Sequence, residues 1–92
     1  MTTKRELEAV VERLNRITNS PLATYTKHED GKYTANIGNY HLSGAYGGYA
    51  LHRIVNESGG VQDVFRSGHC PKADLSRLIY AYITGIESTQ TV

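Results

Sequence analysis

The chain has 92 residues, of which 39% are hydrophobic and 21% are charged, with ten Lys and Arg against nine Asp and Glu. This length and composition predict one small globular domain and exclude a disordered segment. The net charge of +1, without a dense basic run, argues against a strong, sequence-independent DNA binder of the basic-arm type but leaves a local basic patch open. The chain shows no apolar signal region and only one cysteine, Cys70, so we expect a cytoplasmic protein without membrane contact.

Two amphipathic helices are predicted, one near each end of the chain. The first covers about residues 3–19, where apolar residues recur at helical spacing and Thr3 with Glu6 forms a capping box. The second covers about residues 71–86, because Pro71 suits a first helical turn and a second apolar stripe follows it. Residues 87–92 are expected to form a frayed polar tail.

Strands are predicted between the helices, at about residues 22–28, 32–43 and 49–56, with a short additional one at 61–65. Gly38-Asn39 interrupts the alternation of the second strand, and a β-bulge is favoured over a tight turn between two short strands. Residues 43–48 are read as a long turn of six residues.

The predicted fold is therefore α+β, a two-layer sandwich of order α-β-β-β-(β)-α. Two helices cover one face of an antiparallel sheet, as the two apolar stripes require. The opposite sheet face would then present Tyr, His, Thr and Arg side chains to solvent or to a partner.

A candidate binding surface lies in residues 38–54, which hold four of the nine glycines, three of the seven tyrosines and two of the four histidines. A tightly built hairpin explains much of this pattern, since turns need glycine and strands favour tyrosine. Exposed rings with an interleaved arginine are also typical of contact surfaces. The predicted contact residues are Tyr40, His41, Tyr46, Tyr49, His52 and Arg53.

Catalytic chemistry has weaker support. Cys70 lies beside His69 and just before a helix, a setting that favours a thiolate, so a small enzyme or ligand binder using His52, His69 and Cys70 is an alternative. Cys70 is equally suited to a small buried apolar position. No phosphate-loop, nucleophile-elbow or zinc-ligand spacing occurs, and we predict no catalytic residues, metal or cofactor.

The stretches GNYHLSGAYGG and LHRIVNESGG, with the PK-x-x-L start of the last helix, resemble a group of small phage and prophage proteins. This resemblance implies a small accessory protein in a bacterial cytoplasm and implies no particular chemistry. With the near-neutral charge and the candidate surface, it favours a non-enzymatic binding module whose partner is another protein or a second copy.

The order of elements also resembles that of the double-stranded-RNA-binding domain, and LNRITNSPLATYTKHEDGKYTANI resembles its first helix and two strands. That resemblance implies phosphate contacts from basic residues at the start of the last helix, where Lys72 is the matching residue. Nucleic-acid binding through Lys72, Arg66 and Arg53 is therefore the main alternative function.

Overall fold

A computed structural model describes residues 2–90, and the element order is α1 (Lys4–Ile17), β1 (Tyr25–Lys27), β2 (Tyr33–Ala35), β3 (Tyr40–Ala45), β4 (Gly48–Ile54), β5 (Val61–Asp63) and α2 (Lys72–Gln90). The predicted α+β class and helix–strand order are confirmed. The strands form two antiparallel sheets, a β1–β2 hairpin and a three-stranded sheet of order β3-β4-β5. Within the described residues, neither helix combines the length and apolar character that crossing a bilayer requires.

Both helices pack on one face of the three-stranded sheet, as predicted. Helix α1 contacts β3, α2 contacts β4, and the two helices contact each other. Each buried Leu, Ile or Val side chain in such a layer contributes about 1.5–3 kcal/mol to folding. The main core consists of Leu7, Val10, Val11, Leu14, Tyr40, Leu51, Leu75, Ile79 and Ile83.

Helix α1 begins as its sequence indicates, since the Glu6 N–H donates to the Thr3 hydroxyl over 3.1 Å. Helix α2 is longer than expected and includes residues 87–90 of the predicted polar tail; residues 91–92 lie outside the described chain. An ion pair of 2.7 Å joins Glu87 to Arg13 of α1. This contact and the half-buried Ile86 hold the last turns of α2 against α1.

The predicted strand 32–43 is two separate strands, and the favoured bulge at Gly38 is wrong. Gly38 has a φ of 94°, and the Asn39 N–H donates to the Asn36 carbonyl over 3.1 Å. These features define a tight turn between β2 and β3, so the alternative interpretation is the correct one. Both a β-bulge and a tight turn can place glycine at a positive φ, so the local sequence did not distinguish between them.

Strand β3 is an outer strand of the three-stranded sheet, because β4 is the central strand. One side of β3 pairs with β4, and its other side, the outer edge, pairs with no strand of this sheet. The register pairs Tyr40 with Arg53, His41 with His52, Leu42 with Leu51 and Gly44 with Tyr49. Side chains that are directly paired lie on the same face of a sheet. Leu42 and Tyr40 therefore face the helices, whereas His41 and His52 face the other way.

Candidate functional site

The six residues of the predicted binding surface do not share one face of the molecule. Tyr40, Tyr49 and Arg53 lie on the helix side of the sheet, and Tyr40 is 3% exposed. His41 and His52 lie on the opposite side, and Tyr46 is at the tip of the β3–β4 turn. The expectation of a single surface formed by these rings is wrong, because alternate strand residues face opposite sides.

The buried Tyr40 has a packing role. Its hydroxyl shares a hydrogen bond of 3.0 Å with the Tyr82 hydroxyl, and the Arg53 guanidinium lies 4.9 Å from its ring centroid. Burial, reinforced by the Tyr82 hydroxyl, raises the pKa of Tyr40 to about 12. Tyr40 therefore stays neutral at physiological pH and ties the sheet to α2.

The β3–β4 turn is much shorter than predicted. Ala45 pairs with Gly48, so only Tyr46 and Gly47 form the loop, with φ values of 55° and 75°. Two consecutive positive φ values are typical of a type I′ hairpin turn. The predicted six-residue turn at 43–48 is therefore wrong, although Tyr46 at the tip is 99% exposed.

Three histidines meet on the sheet face that points away from the helices. The ring centroids of His41 and His52 are 5.9 Å apart, and those of His52 and His69 are 6.3 Å apart. Ser43 Oγ shares a hydrogen bond of 3.1 Å with His69 Nε2. Burial and the neighbouring His52 lower the pKa of His41, whose buried Nδ1 has no hydrogen-bond partner within residues 2–90.

This second sheet face is not the open polar surface that was expected. Ala50 and Ile54 are buried there, and the loop before α2 brings His69 onto it. Of the proposed enzyme set, His52 and His69 meet, but Cys70 does not join them. The Cys70 side chain packs against the main core, and its backbone exchanges hydrogen bonds of 2.8 and 2.9 Å with Tyr49.

No group of three or more His, Cys, Asp or Glu side chains within residues 2–90 is arranged to hold a metal ion. The histidine rings, arranged edge to face at interplanar angles of 82° and 63°, therefore form a packed polar cluster in which the Ser43 hydroxyl and the His69 imidazole share a hydrogen bond.

The three basic residues considered for nucleic acid lie on separate elements. Lys72 begins α2, Arg66 lies in the loop after β5 at a φ of 53°, and Arg53 is in β4 with its guanidinium on Tyr40. All three are exposed. Within residues 2–90 no hydrogen bond, ion pair or ring contact joins them, and an acidic residue, Asp74, follows Lys72 within the first turn of α2.

A groove that the sequence did not reveal runs between α1 and the outer edge of β3. Its volume is about 550 Å³. The α1 wall carries Glu8, Val11 and Glu12, and the sheet wall carries Leu42 and Gly44 with the ring of Tyr49 beside them. The loop before β1 contributes Leu22, whose side chain is half-exposed.

Asn15 of α1 occupies one end of this groove and imitates a neighbouring strand. Its carboxamide accepts from the Tyr40 N–H over 2.8 Å and donates to the Tyr40 carbonyl over 2.9 Å. The backbone groups of Tyr40 therefore point away from β4. Because hydrogen-bonding direction alternates along a strand, those of Leu42 and Gly44 point the same way, into the groove.

Beyond Asn15, no group within residues 2–90 forms further hydrogen bonds of this kind with the outer edge of β3. The outward N–H and C=O groups of Leu42 and Gly44 have no hydrogen-bond partner among the described residues. An unpaired edge of this kind is a template for another extended chain.

Comparison with known proteins adds no relative. No family model, no curated protein and no solved structure matches the chain.

Proposed function

We propose that this protein is a non-enzymatic binding module that holds a segment of a partner protein in the groove between α1 and β3. The observation that supports this most strongly is the groove itself, which combines a few apolar side chains, Val11, Leu42 and Tyr49, and charged residues of α1 with unpaired backbone groups on one edge. Binding sites typically pair an apolar lining with a few well-placed polar groups.

The groove is suited to a chain segment rather than to a compact metabolite. It is a surface groove about 550 Å³ in volume whose polar groups lie along a strand edge. The rings of His52 and His69 lie on the opposite side of the sheet, whereas His41 also lines the groove. The resemblance to small phage and prophage proteins supports an accessory role in a bacterial cytoplasm.

Nucleic-acid binding ranks below protein binding. The candidate cations Lys72, Arg66 and Arg53 lie on three different elements, and the two glutamates of the groove balance the charges of their partners Lys4 and Arg16. A groove whose charges balance does not attract a phosphate backbone.

Selection from a library of random heptapeptides tests the proposal. We expect peptides that bind with dissociation constants below about 1 mM, which corresponds to about −4 kcal/mol. Gly44→Leu places a side chain in the groove beside Tyr49, and Gly44 has no positive φ that would strain the variant. We expect this substitution to weaken binding at least about tenfold, or about 1.4 kcal/mol.

Tyr46→Ser is the matched control, because Tyr46 is fully exposed at the turn tip and lies outside the groove lining. Its binding should equal that of the unmodified protein. A library that yields no binder, or binders indifferent to Gly44→Leu, would contradict the proposed function.

A further inference from the structure

From the backbone of the groove we infer that the bound segment joins the sheet as a fourth strand beside β3, with alternate apolar side chains directed toward α1. This inference rests on the proposed function and specifies its binding mode. The sheet then has the order segment-β3-β4-β5.

The hydrogen-bonding groups for this strand are already positioned. Leu42 and Gly44 direct their N–H and C=O groups outward, whereas His41 and Ser43 use theirs on β4. At Tyr40, the side chain of Asn15 fills the place that the next strand would take. The incoming strand therefore ends before Asn15 and pairs with the part of β3 that follows Tyr40.

The side chains of the groove specify which residues the segment carries. A residue opposite Gly44 meets no side chain from β3, and the ring of Tyr49 lies 3.4 Å from where a Gly44 Cβ would be. That position accepts a large apolar side chain stacked on Tyr49. The residue opposite Leu42 faces Leu42 and Val11, so it is also apolar.

The residue between these two points to the histidine side of the sheet, where polar groups lie. The segment therefore alternates apolar and polar residues, as a half-buried strand does.

Charge on the α1 wall favours a basic residue next to the apolar pair. Glu8 and Glu12 line the groove with Lys4, and Glu12 is paired with Arg16 over 2.7 Å, so Glu8 is the carboxylate available to a new partner. The Lys4–Glu8 ion pair is long, at 3.8 Å, and both side chains are more than half exposed. Such a pair contributes little and exchanges readily. A Lys or Arg on the segment can replace Lys4 as the partner of Glu8.

A second copy of this chain is the competing occupant, since two β3 edges could pair with each other. A peptide is favoured because α1 lines one side of the edge, and the groove it forms accepts side chains from a single strand. Strand pairing between copies would give a dimer that depends on protein concentration.

The test uses the tightest heptapeptide selected against the full-length protein, with each of its backbone nitrogens methylated in turn. Methylation removes one N–H donor, and the loss of one hydrogen bond weakens binding about fivefold. We expect this loss at alternate positions only. A pattern without a two-residue period overturns strand addition while leaving groove binding, and so the proposed function, intact.

On the protein side, Gly44→Pro removes the outward N–H without touching the β3–β4 ladder, and Gly44→Ala keeps it. We expect at least about fivefold weaker binding for the proline variant relative to the alanine variant. Equal binding by two folded variants contradicts the inference. If Gly44→Pro does not fold, the methylation pattern decides.

A dimer of the unmodified protein that the Gly44→Pro substitution dissociates would show that a second copy occupies the edge. That result would also contradict the inference of a bound partner segment.

Discussion

His41 is the residue whose environment gives the clearest dependence on pH. Burial and the adjacent His52 lower the pKa of His41 below its ordinary value of 6.5. The folded protein therefore binds fewer protons than the unfolded chain between the lowered pKa and 6.5, and stability falls as the pH drops through that window.

We expect the free energy of unfolding, measured with urea at several pH values, to decrease below about pH 6.5. His41→Gln should flatten this dependence, because it removes the imidazole whose pKa is lowered. An equally steep decrease in the His41→Gln variant would show that another group is responsible.

Gly48 lies close to the backbone of the segment before α2, at Cys70. A Cβ at this position would lie 2.8 Å from the Cys70 carbonyl oxygen, at the bridge between Tyr49 and Cys70. Overpacking against backbone costs about 1–3 kcal/mol. We expect Gly48→Ala to lower the free energy of unfolding by about that amount. Gly47→Ala is a poor control because Gly47 has a positive φ, so Gly44→Ala is the appropriate comparison. Equal stabilities of the two alanine variants would contradict this close approach.

The turn of the β3–β4 hairpin contains a residue, Tyr46, that rarely adopts the backbone conformation found there. Tyr46 has a φ of 55°, a region that Asn adopts more readily than Tyr. Because Tyr46 is fully exposed, replacing it loses no buried area. We expect Tyr46→Asn to raise the free energy of unfolding by about 0.5–1 kcal/mol.

Thermal or urea unfolding of Tyr46→Asn and Tyr46→Ala checks this expectation. The alanine variant loses the ring contact with His69 equally, at 6.0 Å between centroids, but lacks the preference of Asn for positive φ. Asparagine should therefore be the more stable of the two. A less stable asparagine variant would indicate that the turn is not of type I′.

At the scale of the whole molecule, the layers were predictable because they follow from local patterns. The stripes of Leu7 to Leu14 and of Leu75 to Ile83 each have helical spacing, and two such helices need a common sheet face. The tight turn at Gly38 was not separable from a bulge. The two-residue turn at Tyr46 was concealed because tyrosine is uncommon at positive φ.

The groove and the histidine cluster could not be predicted from the sequence, because each brings together residues that are distant along the chain. The groove depends on how α1 lies against β3, where Asn15 binds Tyr40. The cluster depends on the loop that returns His69 to the sheet beside His52.

Amide hydrogen exchange of the unliganded protein tests most directly whether the outer edge of β3 is open. The N–H groups of Leu42 and Gly44 point into the groove, whereas those of His41 and Ser43 belong to the β3–β4 ladder. We predict that Leu42 and Gly44 exchange at least about 100-fold faster than His41 and Ser43. Equal protection of all four amides would mean that the edge is already covered and would contradict a free docking strand.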